Sequence, residues 1–529
     1  MKARETTNSD RLPTKPLAAV LAGIVPAGEC GGAQVRDLCL DSRTIGVGDC
    51  FVALQGNTEH GLRYLSDVIV AGASAVITDE NARENNGKEL ATIPKKIPVI
   101  IIEDLRKQLA LISNRVYDFP SESMPTIGVT GTNGKTTIAF ILAAALHELG
   151  CASAYIGTLG LGPWQHLKAT LNTTPDLLTV QRQLSDFRAQ GIQSCTLEAS
   201  SHALDQGRLD GISFEVAVFS NLTHEHLDYH GSMQAYGAAK KKLFSKATGR
   251  APAHAVVNID DEFGREIVKN AESETVLWPY GMTAQSKNYA HVTAASNLQF
   301  DLDGIRMDVQ SPMGQGSVQS NLLGSFNAEN LLAVIASLGA LGWKLPEIVR
   351  AIETMPVVPG RMEVIHLDGV SRADLPTVVI DYAHSPDGLE QALITLRRLT
   401  RGKLICVFGC GGDRDKSKRP KMGAIAENNA DVVIVTSDNS RGERAESIIE
   451  QIILGQSSVE QARANKTIVE KDRESAIRVA IKQADNDDVV LIAGKGHECY
   501  QIVADQRLHF SDHDVCRHAL QARLEGEIT

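Results

Sequence analysis

Residues 131 to 137 read Gly-Thr-Asn-Gly-Lys-Thr-Thr, between the apolar run Ile127-Gly128-Val129-Thr130 and a helix-like stretch at 138–149. A strand, a glycine loop and a helix in that order leave few folds open, because the loop must turn sharply at a sheet edge and launch the helix. Such a turn exposes backbone N–H groups, and the positive end of the helix adds to them, so phosphate oxygens are attracted. Gly131, Thr132, Asn133, Gly134, Lys135, Thr136 and Thr137 are therefore candidate nucleotide contacts, with Lys135 a mobile cation and Thr136 an oxygen ligand for magnesium. The pattern G-x-x-x-x-G-K-[ST] asks for glycine where this chain has Val129, while order, spacing and flanking elements agree.

At 529 residues the chain exceeds one ordinary core and suggests about three domains of roughly 150 residues. A net charge of -11 argues against a nucleic-acid-binding role driven by phosphate attraction. The nine cysteines include no C-x-x-C pair, and Cys406 and Cys410 lie among apolar and glycine residues, where reduced, buried thiols are common. No apolar segment reaches the roughly 20 residues of a membrane span, and the first 16 residues are polar. The expected protein is cytoplasmic, monomeric and not inserted in a membrane.

Along the chain, a polar opening to about Pro16 gives way to apolar pieces at 50–54 and 75–78 and a helix-like 64–71, which suggests a small mixed α/β unit. Ser121-Glu-Ser-Met-Pro125 reads as a linker. Strand-like runs at 194–197, 216–220 and 255–259 alternate with helical ones, the pattern of a mainly parallel sheet. After Val357-Val-Pro-Gly360 a second series begins, at 377–380, 404–408, 432–436 and 489–493, and predicts another doubly wound domain. The expected boundaries are 1–122, 123–358 and 359–529.

Glu198 comes after a strand-like run, so its carboxylate belongs at the sheet's C-terminal end, where with Thr136 it could hold one hard cation. Three histidines, His224, His226 and His230, crowd the next strand end; they invite a metal reading, although a single histidine is more often packed or capping.

Five segments together resemble the Mur ligase family: Gly131–Thr137, Glu198-Ala-Ser-Ser-His202, residues 221–231, Asp381-Tyr-Ala-His384 and Gly409-Cys-Gly-Gly-Asp-Arg-Asp415. The resemblance runs from about residue 40 to residue 511. It implies an α/β enzyme of three domains: an N-terminal mixed α/β domain that binds a UDP-linked substrate, a central P-loop parallel-sheet ATPase domain and a C-terminal Rossmann-like domain that binds an amino acid. The implied reaction is ATP-driven amide formation in peptidoglycan precursor synthesis. A carboxylate of UDP-MurNAc-dipeptide takes the γ-phosphoryl group, and an amine displaces phosphate from the acyl phosphate. Carboxylate and triphosphate repel one another until cations intervene. By resemblance two Mg2+ ions and Lys135 supply them, with Thr136 and Glu198 at the first metal and His226 at the second.

Lys240 matches the family's carbamylated lysine (N6-carboxylysine), in which a neutral amine has captured carbon dioxide and become a carboxylate. Taken alone, Lys240-Lys241-Lys242 reads as a solvated basic helix face. Leu40 and Ser42, then Asn57, Thr58 and Glu59, match the family's nucleotide-facing segments, though as isolated turns they say little. Asn172, Thr173, Thr174, Ser200, Gln206 and Arg208 match contacts to the rest of that substrate, and the fork of Arg208 suits paired oxygens. Asn330 becomes a candidate adenine contact, although Asn327 and Asn330 also read as capping residues. Arg361, Asp381 and His384 would approach ATP from the third domain, whose closure would keep water from the acyl phosphate.

Asp438-Asn439-Ser440-Arg441 matches a segment that reads Asp-Asn-Pro-Arg in family members adding meso-diaminopimelate, whereas lysine-adding members lack the arginine. Diaminopimelate carries a second carboxylate that Arg441 can bind bidentately; lysine would leave the guanidinium unpaired. Arg414, Gly494 and Glu498 match the rest of that pocket, with Glu498 placed to accept the distal ammonium. Ser440 departs from the pattern, frees φ and adds an N–H, which predicts a less rigid loop. The expected amino acid is meso-diaminopimelate, with L-lysine the alternative. A folylpolyglutamate-type ligase, against which the first domain argues, and a P-loop nucleotide switch are the rival readings.

Overall fold

The computed structural model describes residues 13–56, 59–82, 90, 93–94, 96–170, 172–283, 289, 291–456 and 466–526. They form two compact units, Met1–Thr293 with Ala333–Lys344, and Ala294–Leu332 with Leu345–Thr529. The architecture is α/β throughout, with three sheets that are wholly or mainly parallel, as the Mur ligase resemblance implies.

The first unit opens on a parallel sheet of β1 (Leu38–Cys39), β2 (Cys50–Ala53), β3 (Ala75–Asp79) and β4 (Val99–Ile102). The apolar runs are short and continuous, as strands covered on both faces require. One face packs on helix α1 (Leu105–Tyr117) through Leu109 and Ile112, the other on Leu62, Leu65 and Val68. Segment 121–125, expected as a linker, is packed instead: Pro120–Ser123 forms one helical turn, Ser121 Oγ accepts the Ser213 N–H at 2.9 Å, and Met124 enters the next core. Proline at the first helical position and a large apolar side chain explain why it does not run free.

The second sheet contains β5 (Thr126–Thr130), β6 (Ser153–Gly157), β7 (Gly160–Pro163), β8 (Ser194–Glu198), β9 (Val216–Phe219), β10 (His254–Asn258) and β11 (Val276–Gly281). Their spatial order is β11-β10-β9-β5-β8-β6-β7, parallel except for β7. Helix α2 (Lys135–Glu148) leaves the loop after β5, and its residues from Thr136 to Leu146 are all buried. In register, Glu198 of β8 lies opposite Val129, and Phe219 of β9 lies opposite Thr130. Three strand ends thus release their chain at one edge, where ligands gather in open α/β sheets.

The second unit opens on an antiparallel meander, β12 (Thr293–Asp301), β13 (Gly304–Ser311) and β14 (Gly314–Ser320), followed in the chain by helix α3 (Ser325–Ala340), whose residues from Ala333 belong to the first unit. A six-stranded sheet comes next: β15 (Glu363–Val364), β16 (Thr377–Asp381), β17 (Leu404–Phe408), β18 (Val432–Val435), β19 (Thr467–Val469) and β20 (Val489–Ala493), ordered β15-β16-β20-β17-β18-β19 with only β15 antiparallel. Apolar layers cover both faces, one around Leu393, Phe408 and Met422, the other around Ile380, Ile477 and Ala519. A hairpin of β21 (Tyr500–Val503) and β22 (Gln506–His509) comes after β20.

Candidate active site

The glycine loop begins where β5 ends. Gly131 has φ 149°, and a side chain there would overlap Ser220 Oγ, so the close pass of β9's end requires glycine. Gly134, at φ 87°, caps α2. The loop is fastened to the chain after β9: the Thr132 N–H donates to Asn221 O at 2.8 Å, the Asn133 N–H to Asn221 Oδ1 at 2.9 Å, and Ser220 Oγ–H to Asn133 O at 2.5 Å. Lys135 folds over its own loop, donating to Gly131 O at 3.0 Å and Thr132 O at 2.7 Å. Val129, the departure from the usual pattern, is a buried strand residue with no need for positive φ, so valine is tolerated there.

Glu198 is fully buried and held by donors from two elements. Thr136 Oγ1–H reaches Oε2 at 2.9 Å; Tyr155 O–H and the Thr158 N–H reach Oε1 at 2.5 and 2.8 Å; Thr158 Oγ1–H reaches Oε2 at 3.2 Å. A side chain at Gly157 would strike both Glu198 and Tyr155. Among the described residues no group of three or more His, Cys, Asp or Glu converges as a metal site. One carboxylate beside one hydroxyl fits magnesium, which keeps waters and takes phosphate oxygens rather than a full protein cage.

Lys240 is on α4 (Met233–Lys241), 1% exposed, with Nζ donating to Gly131 O at 2.6 Å and lying 4.3 Å from the Tyr236 ring centre. Burial first, then the Lys135 cation, drives its pKa well below the usual lysine range, against a weaker pull from Glu225. Lys241 and Lys242 behave otherwise, pairing with Glu266 and Asp205 at the surface. His226 adopts φ 55°, and its ring meets His202 edge-on at 4.8 Å. Burial, with Lys135, His202 and Lys240, lowers its pKa to about 4 despite Glu225, so the imidazole is neutral at pH 7. His230 Nε2 bonds Ser201 Oγ at 3.0 Å, and His224 is exposed.

Beside Glu198, Thr174 Oγ1–H donates to Glu198 O at 2.6 Å and sits 3.0 Å from Ser200 Oγ. Arg208 donates to Thr174 O at 2.9 Å and to Gln206 Oε1 at 3.0 Å, while Thr173 Oγ1 lies 3.2 Å from Thr158 Oγ1. Thr173, Thr174, Ser200, Gln206 and Arg208 thus form one patch with the loop site, and Asn172 stands exposed at its rim. Near the first sheet, Arg43 clasps Asp41 at 2.6 Å, leaving Leu40 and Ser42 half-buried, and Glu59 pairs with Arg63 at 2.6 Å. Asn57 and Thr58 lie outside the described residues.

In the second unit, the ends of β16, β18 and β20 converge. Asp381 Oδ2 accepts the Met362 N–H at 2.8 Å, the Arg361 guanidinium lies 4.8 Å from the Tyr382 ring centre, and His384 Nδ1 is 2.9 Å from Tyr382 O. Asn330 is buried in α3, donating to Asn327 Oδ1 at 2.9 Å. Asn439 Nδ2–H donates to Glu498 Oε2 at 2.8 Å, and a side chain at Gly494 would press on Asp438 at 3.1 Å. Arg441 adopts φ 48° and donates to Gly412 O at 2.8 Å, bringing its guanidinium beside the loop that carries Arg414. The loop carrying Ser440 is hydrogen-bonded to the chain around it. Ser440 is buried, the Arg441 N–H donates to Ile502 O at 3.1 Å, the Gly412 N–H to Asn439 O at 2.9 Å and the Gly442 N–H to Asp413 Oδ2 at 3.0 Å.

Residues 129–338 match the Mur ligase middle domain and residues 360–496 the Mur ligase, glutamate ligase domain. The chain belongs to the Mur ligase family. It is 45% identical over 490 residues, 93% of this chain and 94% of the other, to UDP-N-acetylmuramoyl-L-alanyl-D-glutamate--2,6-diaminopimelate ligase of Xanthomonas campestris pv. campestris (strain 8004). Identity to the protein of that name from Xylella fastidiosa (strain 9a5c) is 43% over 512 residues, 97% and 98% of the two chains. A solved structure of a ligase with that name superposes with TM-score 0.68 at 34% identity, covering 97% of this chain and 99% of the other.

This Mur ligase also places residues at its sites that sequence reasoning passed over. Tyr155 and Thr158 hold Glu198, Tyr236 lies against Lys240, and Lys495 sits inside the Asp438–Glu498 cluster. A tyrosine in the parallel strand Ser153–Gly157 was the available signal for Tyr155, since a buried hydroxyl must find a partner. No helix among the described residues is long and apolar enough to cross a membrane.

Proposed function

We propose that this Mur ligase joins meso-2,6-diaminopimelate to UDP-MurNAc-L-Ala-D-Glu, consuming ATP and releasing ADP and phosphate, in the cytoplasmic assembly of peptidoglycan precursors. The observation that carries this reading is 45% identity across 93% of the chain to a ligase named for that reaction. The pocket chemistry agrees with it, because Arg441 and Arg414 suit a carboxylate and Glu498 an ammonium, the two charges at the far end of diaminopimelate.

Residues 1–122 take the uridine end, 123–358 the triphosphate and 359–529 the amino acid. The N–H groups at the start of α2 and Lys135 bind the phosphates of ATP, and Asn330, Arg361, Asp381 and His384 complete its contacts. Thr174, Ser200, Gln206 and Arg208 orient the dipeptide so that its terminal carboxylate meets the γ-phosphoryl group. Thr136 and Glu198 would hold one magnesium ion and His226 with Lys240 a second, where they would supply positive charge against the repulsion between carboxylate and triphosphate. The buried Lys240 amine, poised to be neutral, takes up carbon dioxide, loses a proton and becomes the carboxylate that the second ion requires. The protein acts as a monomer.

The test is mass spectrometry of the product formed from ATP, the UDP-linked dipeptide and equal diaminopimelate and lysine. A diaminopimelate adduct with stoichiometric phosphate is the expected result. A lysine adduct would overturn the substrate assignment, and a chain that leaves ATP intact would overturn the ligase reading.

A further inference from the structure

Lys495 is a second fully buried lysine, and the ligation chemistry gives it no part. Its side chain is 0% exposed, and Nζ lies 3.1 Å from Glu498 Oε2, 3.2 Å from Asn439 Oδ1 and 3.6 Å from Asp438 Oδ1. Three residues of the candidate amino-acid pocket therefore share one cation. A lysine with no solvent is costly unless carboxylates compensate it, and two do so here. The same cation helps the carboxyl of Asp438: burial pushes its pKa up, but Lys495, then Arg473, more than offset this and leave it below the usual range.

The arrangement has a direction. Glu498 Oε2 is occupied by Asn439 Nδ2–H and by Lys495, while among the described residues Oε1 has only a long bond, 3.4 Å, from the Tyr500 hydroxyl. Asn439 is fixed in turn, since its Oδ1 also accepts the Ile502 N–H at 2.9 Å. A freely rotating carboxylate at position 498 would offer either oxygen to an incoming ammonium; anchored at Oε2, it offers Oε1. With Lys495 counted, the Asp438–Glu498 end carries one net negative charge rather than two, against the cations Arg414 and Arg441 on the neighbouring loops. Such a pocket matches a group bearing one ammonium and one carboxylate.

We infer that Lys495 is a positioning residue for the amino-acid substrate: it locks Glu498 and Asn439 in one orientation and sets the charge of the ammonium-binding end. The inference rests on the ligase reading, and the experiment separates the two. Initial rates are measured for the wild-type enzyme and for K495M, K495Q and K495R, varying diaminopimelate, ATP and the UDP-linked dipeptide in turn. For K495M the KM for diaminopimelate should rise about tenfold or more, as expected when one partner of a buried charge cluster is removed, with the KM for ATP changed less than about twofold. K495R, which keeps the cation, should recover part of that loss. If K495M does not fold, K495Q carries the test, since its amide retains a donor without charge and should show the same selective rise. An unchanged KM for diaminopimelate in a folded variant, or a fall in kcat with every KM unaltered, overturns the inference. Failure of the wild-type enzyme to use diaminopimelate overturns the underlying substrate reading instead.

Discussion

Lys240 and Lys495 are both shut away from water, 1% and 0% exposed, yet they keep opposite company. Around Lys240 are a backbone carbonyl, an aromatic ring and another cation, Lys135; around Lys495 are two carboxylates and an amide oxygen. Burial penalises charge in both places, and the neighbours set the outcome. In the first unit they add to the penalty and favour a neutral, reactive amine. In the second they compensate it and turn a cation into part of a scaffold. A buried lysine whose neighbours disfavour its charge and one whose neighbours compensate it are thus distinguishable by what their Nζ faces.

The largest effect should come from the reactive member of the pair. Lys240→Ala removes the amine proposed above to take up carbon dioxide, and ligation should fall by about 10²- to 10³-fold, the scale of losing a principal electrostatic element of catalysis. Small added carboxylic acids should restore part of the rate, because the cavity left by the side chain can admit one. Full activity in Lys240→Ala, or a rescue that small amines achieve equally well, would remove the contrast with Lys495.

That contrast was only half legible in the chain. The strand pattern read well, because apolar runs such as 404–408 and 489–493 have no other use than a sheet covered on both faces. The meander from Thr293 to Ser320 was missed, since its strands carry many exposed polar residues and give no continuous apolar run. Lys240-Lys241-Lys242 reads as one basic face, but helical rotation sends Lys240 inward and its neighbours to Glu266 and Asp205. Local pattern cannot reveal partners supplied from far along the chain. Lys495 meets Asn439 across 56 residues, and Tyr155 meets Glu198 across 43.

An intermediate effect belongs to Arg441, placed with Lys495 at the proposed amino-acid site. Its left-handed backbone and its bond to Gly412 O hold the guanidinium in place before substrate arrives. Arg441→Ala should lower kcat/KM for diaminopimelate by about 10²-fold, equivalent to roughly 3 kcal/mol for a charge-assisted bidentate contact. Use of lysine, which has no carboxylate to lose, should change by less than about threefold. Competition assays with both amino acids measure the ratio directly. Equal losses for the two would place the discriminating contact elsewhere and leave Lys495 organising an ammonium site alone.

The smallest effect sharpens the comparison at the first unit's proposed magnesium site, where Tyr155 does for Glu198 what Lys495 does for Glu498. Glu498 has Oε2 tied by buried donors, whereas Glu198 has both oxygens tied: Tyr155 contributes a neutral hydroxyl at 2.5 Å from Oε1, Thr158 backs it with an N–H at 2.8 Å, and Thr136 donates to Oε2 at 2.9 Å. Tyr155→Phe therefore leaves Oε1 still partnered, and the expected cost is about 1 kcal/mol of stability, the net worth of one ordinary hydrogen bond. Nucleotide binding titrated against magnesium should need a few-fold more of the ion, because a carboxylate held by fewer donors is less well oriented, as is usual when a ligand's supporting bond is lost. Thermal unfolding and the magnesium titration report these separately. A variant with wild-type magnesium dependence would show that Thr136 and Thr158 suffice to orient Glu198, confining the need for a buried supporting donor to the charged cluster around Lys495.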